Sequence, residues 1–279
     1  MTIKYEDPAC AYCPPKLRAC RQGESAERGP GFCPTKVAPE VQASARARYD
    51  DPQIRKLSRE AAVVESEGYC RWTRVEEIVQ FARRMGFRKI GIANCISFID
   101  HAQVLSGILE SHGFEVVSVA CKTGNIPKED LGIADHEKIR PGQFEPVCNP
   151  VAQAELLNAH GCEFNVVMGL CVGHDSLFFR HSQGLATVLV AKDRVLGHNP
   201  FAALNLADSS QPGLGTSASR RAAEAAGGRT TPKTVAGAFT ARGPRATLAR
   251  CDAGTCCSTW CPRSARPVCS RKALPPPGR

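Results

Sequence analysis

Cys10, Cys13, Cys20 and Cys33 stand at the spacing C-x2-C-x6-C-x12-C. Two intervening residues let the first pair of thiolates turn toward one ion, and the later two can close a four-sulfur shell from loops. Tetrahedral thiolate suits zinc, and four thiolates also hold iron–sulfur clusters. Cys13-Pro14 and Cys33-Pro34 echo the Cys-Pro of ferredoxin-type sites, so zinc and an iron–sulfur cluster are both open as cofactors. The bland reading of the same residues is four free thiols on an arm.

A second set is scattered along the chain: Cys121, Cys148, Cys171, His174 and His198. Cys148-Asn149-Pro150 and His198-Asn199-Pro200 repeat one design, with Asn as N-cap and Pro as first helical residue. That would set Cys148 and His198 just before helix N-termini, where the dipole favours a thiolate at Cys148 and a neutral, metal-competent imidazole at His198. Cys171-Val-Gly-His174-Asp175 places a thiol and an imidazole three residues apart, which serves a Cys/His metal site or a cysteine nucleophile with a histidine base. Asp175 reads as an N-cap. Cys95 is either part of this set or a small buried hydrophobe, and Cys162 reads as the latter. The remaining histidines, His101, His112, His136, His160 and His181, read as surface or helix-end residues.

These side chains need elements to position them. Residues 1–36 are rich in Cys, Pro and Gly and have no apolar periodicity, so a metal would supply the stabilisation that a core cannot. Residues 37–72 read as a charged helical connector. Thr73-Arg-Val-Glu76 is a capping box, and Val75, Ile78, Val79, Ala82 and Met85 follow at helical spacing until Gly86. Strands are expected at Lys89–Asn94, Glu115–Ala120, Glu163–Met168 and Ala186–Ala191. Between and after them, helices are expected near Asp100–His112, Pro150–His160 and Ser176–His181, and from Pro200. Alternation of this kind predicts an α/β domain over 73–210, a small Rossmann-like or flavodoxin-like parallel sheet of about four strands. Cys95 and Cys121 would end the first two strands and Cys171 would follow the third, which puts them at the carboxyl edge where open α/β sheets bind ligands. The connection Cys121–Cys148 is long enough to be a lid or binding loop.

The 279-residue chain carries a formal charge of +9, but residues 1–210 hold 24 basic and 25 acidic side chains, and residues 211–279 hold 12 and 2. The excess therefore belongs to the tail, and the near-neutral remainder argues against nucleic acid as a partner. No stretch approaches the roughly 18 uninterrupted apolar residues of a membrane span, and no basic start leads into an apolar run, so no membrane association is expected. Ten of the 15 cysteines fall within residues 1–210. At such short spacings in a reducing, cytoplasmic compartment, thiols are metal ligands or catalysts rather than disulfides. The Arg/Ala/Gly/Pro composition of 211–279 predicts disorder, and its abrupt onset suggests an extension or an altered reading frame. Its cysteines are read as compositional noise. There is no G-x-G-x-x-G or Walker pattern to support phosphate binding.

Cys10-Ala-Tyr-Cys13 with Cys20 and Cys33, Cys148-Asn-Pro, Gly169-Leu-Cys-Val-Gly-His-Asp-Ser176, and Val188-Leu-Val-Ala-Lys-Asp-Arg-Val195 through Gly197-His-Asn-Pro200 together resemble domain of unknown function 1847, a family described as metal-binding. The resemblance spans roughly residues 8–205 and implies metal at the cysteines without naming a reaction. Family members usually stop soon after the helix that follows His-Asn-Pro, and this chain does not.

The reading that follows is a metalloprotein with Cys10, Cys13, Cys20 and Cys33 as ligands and a second metal or cluster site around Cys121, Cys148, Cys171 and His198. One alternative is a cysteine-dependent redox or sulfur-transfer enzyme with Cys171 or Cys148 as nucleophile and His174 as base. Another is a non-enzymatic zinc-knuckle module that recruits a protein partner.

Overall fold

A computed structural model describes residues 7–14, 20 and 28–206. The tail expected over 211–279 lies outside the described residues, as does part of the cysteine-rich segment. Among the described residues no helix is long and apolar enough to cross a membrane.

A short helix, α1 (Pro34–Val37), starts ahead of the expected connector, which forms as α2 (Pro39–Arg48) and α3 (Pro52–Gly68), and a proline opens each of the three. That residue suits the first turn because its missing N–H would have no helical partner there. Asp51 caps α3, its Oδ1 accepting from the N–H of Gln53 at 2.7 Å and of Ile54 at 3.2 Å. Helix α3 buries Val64 and Glu60. Burial disfavours charge on Glu60, but hydrogen bonds and attraction from Arg59 and Arg84 outweigh it and hold the carboxyl below its ordinary value.

Helix α4 (Arg74–Met85) starts at the capping box, where Glu76 accepts from the Thr73 N–H at 2.6 Å and Thr73 Oγ1 accepts from the Glu76 N–H at 3.4 Å. Gly86 ends the helix at φ +82°, a conformation that costs glycine nothing. We expect Thr73→Ala to lower stability by about 1 kcal/mol, measured by thermal or denaturant unfolding. The Thr73 N–H also holds the Glu76 carboxyl below its ordinary value. Its share of the cap is therefore present above the ordinary carboxylate range and is lost as pH falls through the lowered value.

Four strands, β1 (Lys89–Asn94), β2 (Glu115–Ala120), β3 (Phe164–Met168) and β4 (Leu185–Val190), form one all-parallel sheet in the order β2-β1-β3-β4. The expected strands are displaced by one residue at most, and the order, which periodicity does not encode, puts the topological switch between β1 and β3. Helices α4 and α5 (Ile99–Ser111) cover one face with Ile78, Val79, Ala82, Leu105 and Leu109 on Ile90, Ile92 and Val166. Helices α6 (Pro150–Ala159) and α7 (His174–His181) cover the other with Ala154, Leu157 and Phe178 on Ala93 and Val167.

Gly91 lies on this second face, where a Cβ would come 2.0 Å from Asn165 Oδ1. Its lack of a side chain makes room for a fully buried Asn165, whose amide donates to Ser182 Oγ at 2.9 Å.

The connection from Cys121 to Cys148 is ordered by polar contacts rather than by a core. Glu145 accepts from Lys128 Nζ at 2.6 Å and from the N–H of Arg140 at 2.6 Å, while buried Lys138 pairs with Glu129 and, at 3.0 Å, with Asp135. Val147 N–H donates to the Ile126 carbonyl at 2.8 Å, so the loop returns alongside its own start.

Candidate functional site

The parallel ladder continues past the strand ends. Cys95 N–H donates to Met168 O at 2.9 Å, Cys121 N–H to Asn94 O at 2.8 Å, and Gly169 N–H to Val190 O at 2.7 Å. Cys95, Cys121 and the turn carrying Cys171 therefore leave the sheet at its carboxyl edge, as expected, with Cys95 and Cys171 flanking the switch between β1 and β3.

The returning loop delivers Cys148 to the same place. Asn149 N–H donates to the Cys121 carbonyl at 2.7 Å, and Asn149 Oδ1 caps α6 through the Ala152 N–H at 3.0 Å. The Sγ atoms of Cys121 and Cys148 lie 3.8 Å apart. Cys121 is 2% exposed and Cys95 7%, whereas Cys148 is half-buried. Cys121 Sγ accepts from the Ile96 N–H at 3.3 Å, and Cys95 Sγ lies 3.3 Å from Ser97 Oγ and 3.4 Å from Lys192 Nζ. The bland reading of Cys95 as a core thiol thus gives way to a thiol with polar partners at the site.

Hydrogen bonding with Cys148 and Cys95, reinforced by burial, pushes the Cys121 thiol up. Cys95 and Cys148 are held below the ordinary thiol range, first by hydrogen bonding with Cys121. Ser97 and Lys192 add to this at Cys95, and Lys122 and His174 add at Cys148. Groups this close titrate jointly, so the lowering belongs to the trio.

Several contributors escaped the sequence reading. Gln153, buried on α6, donates through Nε2 to Asn94 O at 3.1 Å and Val119 O at 2.6 Å, locking that helix beneath Cys95 and Cys121. A lone amide on an otherwise apolar helical stripe was the available signal. Lys192 Nζ also donates to Ser97 Oγ at 2.6 Å and stands 4.7 Å over the Phe98 ring. Arg194 Nη2 lies 3.1 Å from Cys171 Sγ. Both cations sit on the turn after β4, which Asp193 closes by accepting from the N–H of Val195 and of Leu196 at 2.9 Å. Gly169, at φ +67°, lets the Phe98 ring lie where a Cβ would meet it at 2.4 Å.

Other expectations need correction. His198 does not precede a helix directly, because α8 (Phe201–Asn205) begins after Pro200 and Asn199 does not cap it. His198 Nδ1 instead accepts from the Asp193 N–H at 3.1 Å, with its ring edge-on to Phe98 at 4.7 Å. Asp175 lies in the first turn of α7, whose N-cap is Gly173, and its Oδ1 accepts from the N–H of Gly173 and Ser176. His174 Nδ1 is buried without a hydrogen-bond partner.

At the N-terminus, Ala9 N–H donates to Phe32 O at 3.4 Å, which sets the turn carrying Cys10 and Cys13 beside the one carrying Cys33. The Thr35 backbone N–H holds the Cys33 thiol below its ordinary value. Cys10, Cys13, Cys20 and Cys33 are in no disulfide. Among the described residues no group of three or more His, Cys, Asp or Glu side chains stands close enough to hold a metal ion. The Cys121–Cys148 pair nevertheless fits half of such a site. Ligands at the Zn–S distance of about 2.3 Å in a tetrahedron are separated by about 3.8 Å, the separation found between these two sulfurs.

The family model described as protein of unknown function (DUF1847) matches residues 33–189. An uncharacterized protein of Methanocaldococcus jannaschii is 42% identical over 156 residues, covering 56% of this chain and 79% of that protein. The match takes in Cys33, Cys95, Cys121, Cys148, Cys171 and His174, and leaves Cys10, Cys13, Cys20, Lys192, Arg194 and His198 outside it, a narrower span than the residues 8–205 of the sequence resemblance. By the extent of both matches, the chain belongs to the DUF1847 family.

Proposed function

We propose that this protein is a thiolate metalloprotein with its functional centre at the carboxyl edge of the sheet. The carrying observation is the Cys121–Cys148 pair, 3.8 Å apart at the carboxyl edge where Cys95 also leaves the sheet. Two sulfurs at that spacing suit one thiophilic ion such as zinc, whereas a cubane cluster would bind each thiolate through a different iron and spread them. Cys121 and Cys148 would hold the ion, with Cys95, Cys171, His174 and His198 as the candidates to complete the shell. A bound ion would supply Lewis acidity and hold all its thiols as thiolates. The chain's own contribution is to fix the sulfurs through the β1 and β2 ladder and to offset their charge with Lys122, Lys192 and Arg194. Cys10, Cys13, Cys20 and Cys33 form, in this reading, a separate zinc or iron–sulfur site that stabilises a segment without a core.

Anaerobic purification followed by elemental analysis and a visible spectrum tests the proposal. Stoichiometric zinc in a colourless protein, or iron with sulfide in a brown one, is the expected result. Folded, reduced protein that takes up neither would overturn it.

A second reading, cysteine chemistry on a substrate, draws on Cys171, which the Arg194 guanidinium approaches at 3.1 Å. It requires Cys171 to stay reactive toward thiol reagents in metal-loaded protein.

A further inference from the structure

We infer that Cys148 and Cys121 form a dithiol–disulfide couple that takes two electrons' worth of oxidation from a small hydroperoxide, with Cys148 as the attacking thiol and Cys121 as the resolving one. This goes beyond the metal reading and does not depend on it, since it concerns the metal-free, reduced thiols.

Proximity is the first support. The sulfurs are 3.8 Å apart, and the hydrogen bond from Asn149 N–H to the Cys121 carbonyl, 2.7 Å, holds the two backbone segments side by side. A disulfide needs closely spaced backbones and sulfurs brought to about 2.05 Å, so the gap left to close is short.

Access then assigns the roles. Cys121 is 2% exposed beneath the loop, Cys95 is 7% exposed, and Cys148 is half-buried at the rim. An oxidant arriving from solvent meets Cys148 before either neighbour. Cys162, the other buried thiol of this core, has no sulfur partner among the contacts described and stays outside the couple.

The chemistry balances. The Cys148 sulfur attacks one peroxide oxygen, the O–O bond breaks, and the second oxygen leaves as water or alcohol after taking a proton, giving a Cys148 sulfenic acid. The Cys121 sulfur then attacks the Cys148 sulfur, the S–O bond breaks, and water leaves with the Cys121 proton. The dithiol loses two protons and two electrons, and the peroxide gains them. An external thiol reverses the reaction by exchange.

The test treats chelated, fully reduced full-length protein with hydrogen peroxide, blocks the remaining thiols and maps the peptides. The expected result is loss of one thiol pair and recovery of Cys121 linked to Cys148. In Cys121→Ser the disulfide is lost, and a sulfenic acid accumulates at Cys148, captured by a 1,3-dione probe several-fold more than in the wild type. Oxidation that leaves both residues alkylatable, or that pairs Cys121 with Cys95 instead, overturns the inference. The wild-type map suffices even if the serine variant fails to fold.

Discussion

Serine at Cys121 is expected to remove the metal held at the sheet edge and to leave metal bound by the N-terminal segment, while Cys10→Ser does the reverse. Loss of a partner that merely orients a ligand already lowers metal affinity about 10–100-fold, so loss of a ligand sulfur costs more. Cys121 is the decisive position because its sulfur is the one that stands 3.8 Å from Cys148 Sγ, the spacing of two ligands on one ion. Its replacement leaves Cys148 without that partner sulfur. The two groups belong to separate elements, the carboxyl edge of the sheet and the turns around Cys10 and Cys33, so the losses should add. Metal per chain, measured for both single variants and the double variant, checks the expectation. A Cys121→Ser protein that keeps its full metal content would mean that the sheet edge is not the site.

Phe178→Ala is expected to cost about 3–5 kcal/mol, the range for emptying a large buried aromatic position, in a denaturant melt. Phe178 is fully buried and is the one residue that α7 commits to the core. The penalty should therefore reach the site, because α7 carries His174 and is tied to Cys171 through the His174 N–H to Cys171 carbonyl bond at 2.9 Å. Phe178→Leu, which keeps most of the volume, should cost well under half as much. A loss below about 1 kcal/mol for Phe178→Ala would mean that α7 is held by other contacts.

How much of this was legible beforehand differs between fold and site. The capping box at Thr73 and Glu76, the stop at Gly86 and the Asn149-Pro150 start of α6 are local rules, satisfied by atoms within a turn of each other, and the structure follows them. The strands were legible for the same reason: a parallel strand covered on both faces is a short apolar run. The second Asn-Pro failed as a cap because α8 is only five residues long, and the Asp193 turn claims His198 first.

By itself, the sequence determined the elements, their alternation and the arrival of Cys95, Cys121 and Cys171 at strand ends, because periodicity and capping depend on near neighbours in the chain. Tertiary structure alone decided which thiols meet. Strand order set β1 between β2 and β3, the polar contacts of Glu145 and Lys138 folded the long loop so that Cys148 returned to Cys121, and the turn after β4 brought Lys192 to Cys95 and Arg194 to Cys171. The pairings of Cys148 with Cys121, Lys192 with Cys95 and Arg194 with Cys171 each join residues more than 20 positions apart, across hydrogen bonds and charges that no local pattern records. The cluster is therefore a product of topology, built from cysteines whose individual positions were already plain.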